Sequence, residues 1–183
     1  MVHSLTRIAV VGTSGSGKTT VARKISEILG VPHIELDALY WRPGWVEAPE
    51  EEFKQAIMEA TRGDEWVTCG NYRFAREVLW GRVDTVVWLD MPFHTVFLRT
   101  LWRTIRRIVT REKLWGTNME GFSALFGKYS MPWFVIKTYS RRKREYPELF
   151  SREEYRHLNV VHLKSDAEVE KWLASLGDQL DLE

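Results

Sequence analysis

Short apolar runs recur along the chain at Arg7 to Val11, His33 to Leu36, Trp66 to Cys69, Thr85 to Leu89 and Asn159 to Leu163, and the stretches between them carry helical spacing. In the first such stretch Val21, Ile25, Ile28 and Leu29 recur three and four apart, and Gly30 closes the pattern. Strand patterns alternating with helix patterns predict a parallel sheet covered by helices on both faces. Right-handed crossovers then bring all strand ends to one edge.

Two further helices are predicted. After Pro92, Leu98, Leu101, Trp102, Ile105, Ile108 and Val109 form an apolar stripe, while Arg99, Arg103, Arg106, Arg107 and Arg111 fall opposite it. The stripe is expected to face the core and the arginines the solvent side. The tail from Asp166 to Leu176 carries Val169, Trp172, Leu173 and Leu176 and reads as a terminal amphipathic helix. Two insertions break the alternation. The first, Ala38 to Arg62, follows LYWRPGW with an acidic helix; the second, Thr110 to Tyr129, contains Gly116, Gly121 and Gly127. On such a core, segments of this kind carry acceptor pockets and lids.

Composition narrows the picture without redirecting it. A chain of 183 residues is expected to form one domain with a full core. Its formal charge of +1 gives no indication of a nucleic-acid partner. The single cysteine, Cys69, excludes an internal disulfide and suits a reducing compartment. MVHSLTRIAV lacks a signal-peptide layout and no apolar run is long enough to span a membrane, so the expectation is a cytoplasmic protein. His3, His33, His94, His157 and His162 show no zinc spacing.

Chemistry enters at AVVGTSGSGKTTV. From Gly12 the chain fits G-x-x-x-x-G-K-[ST]: Gly12, Thr13, Ser14, Gly15, Ser16, Gly17, Lys18, Thr19, followed by Thr20. A polyphosphate needs several backbone N–H groups turned inward, which glycines permit, and the following helix adds its positive end. Lys18 brings a mobile cation to the outer phosphates, and the Thr19 hydroxyl is placed to ligate Mg²⁺. A strand before the loop and a helix after it supply the required context.

Other residues gain meaning beside that loop. The arginines opposite the apolar stripe could be a solvated face, yet guanidinium groups commonly neutralise a transferring phosphoryl group. Arg103 and Arg107 are therefore catalytic candidates, with Arg99 and Arg106 as nucleotide contacts. Asp37, at the end of the second apolar run, is suited to orient an acceptor hydroxyl or a Mg²⁺-bound water. Asp90 before Pro92 reads as a helix cap. Tyr40, Trp41 and Arg42 are candidate acceptor contacts, although Trp41 and Trp45 could equally pack within the fold. The run Arg141, Arg142, Lys143, Arg144 reads as a solvated helix end.

GTSGSGKTTVARK, HIELDALYWRPGW, WVTCGNYR and VVWLDMP, in this order, resemble the small bacterial P-loop proteins known as DNA topology modulation proteins, relatives of adenylate kinase. The likeness covers about residues 6 to 113, then the final strand and helix. It implies a three-layer α/β P-loop fold like that of nucleoside monophosphate kinases, with a five-stranded parallel sheet, an acceptor-binding insertion and an arginine-bearing lid. It also implies ATP and Mg²⁺ contacts at Lys18 and Thr19. In such kinases the third strand commonly ends in Asp-Gly, with an arginine four residues after the aspartate. Gly70 and Arg73 stand at the latter two places, making Arg73 an acceptor contact, but Cys69 replaces the aspartate.

Three classes of function fit a phosphate loop. A switch GTPase needs the guanine-reading N-K-x-D, which does not occur in the chain. An ATP-dependent phosphotransferase acting on a small molecule, such as a nucleoside monophosphate, accounts for the arginines and both insertions. A non-catalytic ATP-binding regulator related to DNA topology modulation accounts for the loop and for Cys69.

Overall fold

The computed structural model describes residues 5–126 and 130–180, with side chains to 178; the expectations for His3, Gly127 and Tyr129 lie outside these residues. Strand β1 (Arg7–Gly12) leads through the phosphate loop into α1 (Lys18–Leu29), then β2 (His33–Glu35) and the short α2 (Leu36–Tyr40). A hairpin, β3 (Trp41–Arg42) and β4 (Val46–Glu47), precedes α3 (Glu50–Ala60), β5 (Trp66–Cys69), α4 (Arg73–Leu79) and β6 (Thr85–Leu89). Next come α5 (Phe93–Thr110), a second hairpin of β7 (Lys113–Leu114) and β8 (Asn118–Met119), α6 (Met131–Phe150), β9 (Asn159–Leu163) and α7 (Asp166–Leu180).

The five long strands form one parallel sheet in the order β2-β5-β1-β6-β9. Large apolar residues bury both faces: Ile8 and Val10 are completely enclosed on one, and Trp66 and Val86 are buried on the other. α1 and α7 lie on one side with α5; α3 and α4 cover the other. Gly30 ends α1 at φ +69, the left-handed turn that stops a helix. Register aligns Glu35 with Cys69 and Cys69 with Val10, so the phosphate loop, β2 and β5 end together.

Three expectations change. Asp37 does not end a strand: β2 stops at Glu35, and Asp37 lies in the first turn of α2. Asp90 caps nothing, because Pro92 is the N-cap of α5; its carboxylate instead accepts from His162 Nε2 at 3.1 Å and pairs with Lys143 at 3.8 Å. The third change is larger. On α5 the residues turned inward are Val96, Thr100 and Thr104, all fully buried, whereas Leu98, Trp102 and Val109 are exposed by 59%, 70% and 76%. Arg103 and Arg107 follow the buried row.

The phosphate loop causes this inversion. A Cβ on Gly15 would lie 2.4 Å from both Val96 O and Thr100 Oγ1, so loop backbone rests directly on α5. Such a polar backbone neighbour needs small side chains and donors across from it, not leucines. Like charges along one face of α5 repel, and partners outside the helix relieve them. Arg99 pairs with Asp166, Arg106 with Glu112, and Arg107 with Glu112 and Glu120.

Candidate functional site: the phosphate loop and its cavity

Gly12, Gly15 and Gly17 have φ of +149, +82 and +95, conformations that let the loop backbone curl. Tight surroundings add to this at Gly12, where a Cβ would meet Leu89 O at 2.6 Å and Ser16 Oγ at 2.7 Å; at Gly17 the positive φ alone selects glycine. Thr13, Ser14 and Ser16 are buried beside them; Thr20 faces outward at the start of α1. Lys18 Nζ donates to Thr13 O at 3.1 Å. Burial pushes its pKa down to about 8, aided by the positive charge of Arg142 and opposed by Asp37.

This cradle fits a nucleotide polyphosphate with Mg²⁺. Ser16 Oγ is buried without a hydrogen-bond partner, as is Arg103 Nε, although Arg103 Nη2 donates to Ser14 Oγ at 3.1 Å. Burial, and then neighbouring Arg107, hold the Arg103 pKa below the usual guanidinium range. A partly dehydrated cation and an unsatisfied hydroxyl beside a concave backbone both favour an anion.

At the metal side the structure adds a residue that sequence reasoning missed. Thr19 Oγ1 donates to Glu35 Oε1 at 3.3 Å, and Cys69 Sγ donates to Thr19 Oγ1 at 3.8 Å. Burial raises the Cys69 thiol to about 12, so it carries no charge at neutral pH. His33 Nε2 lies 3.3 Å from the same sulfur, and burial lowers the His33 pKa. Glu35 therefore supplies a carboxylate next to Thr19 where Cys69 does not. Only strand register could reveal this, because Glu35 sits 34 positions from its register partner Cys69.

Asp37 is also brought to the site. Its Oδ1 accepts a hydrogen bond from Tyr72 OH at 2.5 Å, while Oδ2 has no hydrogen-bond partner among the described residues. Burial, then the charge of Asp37, raises the Tyr72 pKa, so the phenol remains the donor. Asn71, quoted within GNYR but assigned no role, clamps the loop: its Oδ1 accepts from Gly12 N–H at 3.3 Å, and its Nδ2 donates to Gly12 O. Tyr146 OH donates to the same Oδ1 at 2.9 Å.

A cavity of about 700 Å³ opens beside these residues between α4 and α6, and Gly70, Asn71, Tyr72, Arg73 and Arg142 are among the residues that line it. Arg142 is not a solvated helix end. Its guanidinium lies 5.3 Å over the Phe134 ring, makes no ion pair among the described residues, and is held below its usual pKa by burial. The other expected acceptor contacts do not line this cavity. Tyr40 is buried against Phe53 and Tyr72, Trp41 packs on Tyr40 and Trp45, and Arg42 pairs with Glu52. Arg99 and Arg106 are likewise held by Asp166 and Glu112. Among the described residues no helix is long and apolar enough to cross a membrane.

Residues 8–87 match the ATPase family associated with various cellular activities (AAA). A bifunctional pantoate ligase/cytidylate kinase of Synechocystis sp. is 37% identical over a stretch covering 34% of this chain and 13% of that protein, so the chain matches a small part of its relative. Among solved structures, shikimate kinase from Acinetobacter baumannii in complex with shikimate has a TM-score of 0.61 at 20% identity, over 98% of this chain and 94% of that one. A gluconokinase from Sinorhizobium meliloti 1021 has a TM-score of 0.51 at 20% identity, over 97% of both chains. The five-stranded parallel sheet, its flanking helices and its glycine loop give this chain the α/β fold of the small P-loop kinases.

Proposed function

We propose that the protein is an ATP-dependent phosphotransferase that moves the γ-phosphoryl group of ATP to a hydroxyl of a small anionic molecule, a class that includes nucleoside monophosphates. The observation that carries this reading is the cavity lined by Tyr72, which holds Asp37 by a hydrogen bond, and by two arginines, Arg73 and Arg142, with no ion-pair partner among the described residues; the charge of Arg142 also reaches Lys18. A nucleotide hydrolase has no use for an arginine-lined, anion-binding recess beside the phosphate loop, whereas an anionic acceptor needs one.

In this reading the loop from Gly12 to Thr19 and the α1 N-terminus hold the phosphates, with Thr19 as metal ligand and Glu35 orienting its hydroxyl. Mg²⁺ would neutralise charge on the β- and γ-phosphates. Lys18 and Arg103 bind the group that moves. Asp37 Oδ2 accepts the acceptor hydroxyl proton as the new O–P bond forms and the bond to the ADP oxygen breaks. Tyr72 fixes the Asp37 carboxylate in one orientation, and Arg73 and Arg142 hold the anionic end of the acceptor.

Cys69 favours a second reading, a nucleotide-binding regulator of the DNA topology modulation type, since an uncharged thiol stands where such kinases carry a carboxylate. Screening nucleoside monophosphates and hydroxylated carboxylates for acceptor-dependent ADP release separates the two. Release with one acceptor class, its KM raised roughly 10-fold or more in Arg142→Ala, is expected from the loss of a charged contact. ATP binding without acceptor-dependent ADP release from any of them supports the regulator.

A further inference from the structure

The WRPGW segment has no part in the chemistry above, yet its backbone is strained. Trp45 lies at φ +60 and Trp115 at φ +42, in the left-handed region that residues with side chains rarely occupy. Conformations of this kind persist where neighbours impose them. Here each hairpin imposes on the other.

Trp45 N–H donates to Asn118 Oδ1 at 2.8 Å, and Asn118 Nδ2 donates to Arg42 O at 3.0 Å. Trp45 Nε1 donates to Met119 O at 3.1 Å, and the Trp45 and Trp115 rings meet edge to face at 5.9 Å. Asn118 is 2% exposed, so all of its side-chain bonding is spent on the β3–β4 hairpin. The connection continues inward. Glu120, next after β8, pairs with Arg107 at 3.0 Å, and one turn earlier on α5 Arg103 reaches Ser14 of the phosphate loop.

We infer that the two hairpins, β3–β4 and β7–β8, move as one cover, and that Asn118 is the positioning residue that transmits the position of β7–β8 to the acceptor-side hairpin. Two separate arms would show two surfaces facing water where this chain has a buried amide on one hairpin bonded twice to the other. The consequence for phosphate transfer is order. Nucleotide held by Ser14 and Arg103 steadies α5 and β7–β8, and through Asn118 it also sets residues 41–47 before an acceptor arrives, which limits loss of the phosphoryl group to water.

The inference rests on the ATP-binding part of the proposed function alone. Hydrogen exchange followed by mass spectrometry tests it with a non-hydrolysable ATP analogue and Mg²⁺, without acceptor. In wild type the analogue is expected to slow exchange in 41–47 and in 113–120 together. Asn118→Ala removes two hydrogen bonds; exchange in 41–47 should rise roughly 10-fold without nucleotide, and the analogue should then protect 113–120 only. Trp45→Phe, which loses the bond to Met119 O and part of the ring contact with Trp115 but keeps both bonds of Asn118, gives the same pattern in weaker form and serves if Asn118→Ala does not fold. Protection of one hairpin alone in wild type, or of both in the variants, overturns the inference. Calorimetry on the same samples shows whether the analogue binds; a chain that binds it but transfers nothing to any acceptor still gives the coupled pattern, whereas no binding overturns both readings.

Discussion

A Cβ at Gly15 would stand 2.4 Å from Thr100 Oγ1, so the backbone of the phosphate loop lies directly against the Thr100 side chain of α5. Gly15→Ala combines that clash with a φ of +82 that alanine tolerates poorly. It should lower stability by roughly 2–4 kcal/mol, in the range for overpacking plus backbone strain. Thr100→Ala removes one of the two clashing atoms and should restore part of the loss; urea unfolding of both variants and their combination measures it. Full additivity would place Gly15 and Thr100 out of contact.

Lys18 should make nucleotide binding pH-dependent. Burial holds its folded pKa at about 8, below the ordinary lysine value of 10.5, and bound phosphate favours the protonated form. ATP affinity should therefore fall as pH rises above about 8, and binding at pH 9 should take up a proton, visible in calorimetry with buffers of different ionisation heats. In the empty protein the sign is opposite for stability. Below pH 8 both states hold the proton and the buried cation destabilises the fold; between pH 8 and 10.5 the unfolded chain binds more protons, so this deficit shrinks as pH rises. Compared by urea unfolding, Lys18→Met should exceed wild type most below pH 8 and converge with it toward pH 10.5.

Arg103 and Arg107 should separate, although they look equivalent along the sequence. Arg103 bonds a neutral hydroxyl, so Arg103→Ala is expected to cut kcat by about 10²-fold or more with little change in Tm. Arg107→Ala strands the Glu120 carboxylate, whose side chain is only 7% exposed, and should cost about 3 kcal/mol of stability. Thermal unfolding and steady-state kinetics on both variants distinguish the roles. Equal and small changes in Tm would place the Arg107 pair in solvent.

At the metal side Glu35→Gln should raise the Mg²⁺ concentration needed for half-maximal turnover, because the amide offers Thr19 a weaker acceptor than the carboxylate at 3.3 Å. Asp37→Asn should abolish acceptor-dependent turnover while leaving ATP binding intact. If Asp37→Asn matches wild type with an acceptor found in the screen, Tyr72 holds Asp37 for structural reasons only.

The thiol of Cys69, raised to about 12 and 3% exposed, should resist iodoacetamide at pH 8 in the folded protein and react once urea unfolds it. Cys69→Asp puts a carboxylate beside Glu35, which should destabilise the fold through burial and like charge yet lower the Mg²⁺ requirement. Rapid alkylation of the native protein would contradict the enclosure.

What the sequence determined by itself is local. Apolar runs that end together, glycines at loop spacing and a lysine before a helix are each set by backbone geometry within a few residues, so β1, the loop and α1 were legible, as were the strands from Trp66, Thr85 and Asn159. Tertiary structure decided whatever depends on a distant neighbour. The stripe on α5 is turned away from the core, with Leu98, Trp102 and Val109 exposed and Leu101, Ile105 and Ile108 only partly covered, because contact with Gly15 selects Val96, Thr100 and Thr104 for the inner face, and hydrophobic periodicity cannot register a polar backbone as a packing partner. Arg142 looked like one cation in a solvated run until the fold set it where its charge lowers the pKa of Lys18, and Glu35 met Thr19 only through the pairing of β2 with β5. Asn118 carried no signal at all, since a buried amide has a role only when two hairpins far apart in the chain present it with a backbone N–H and a carbonyl at once.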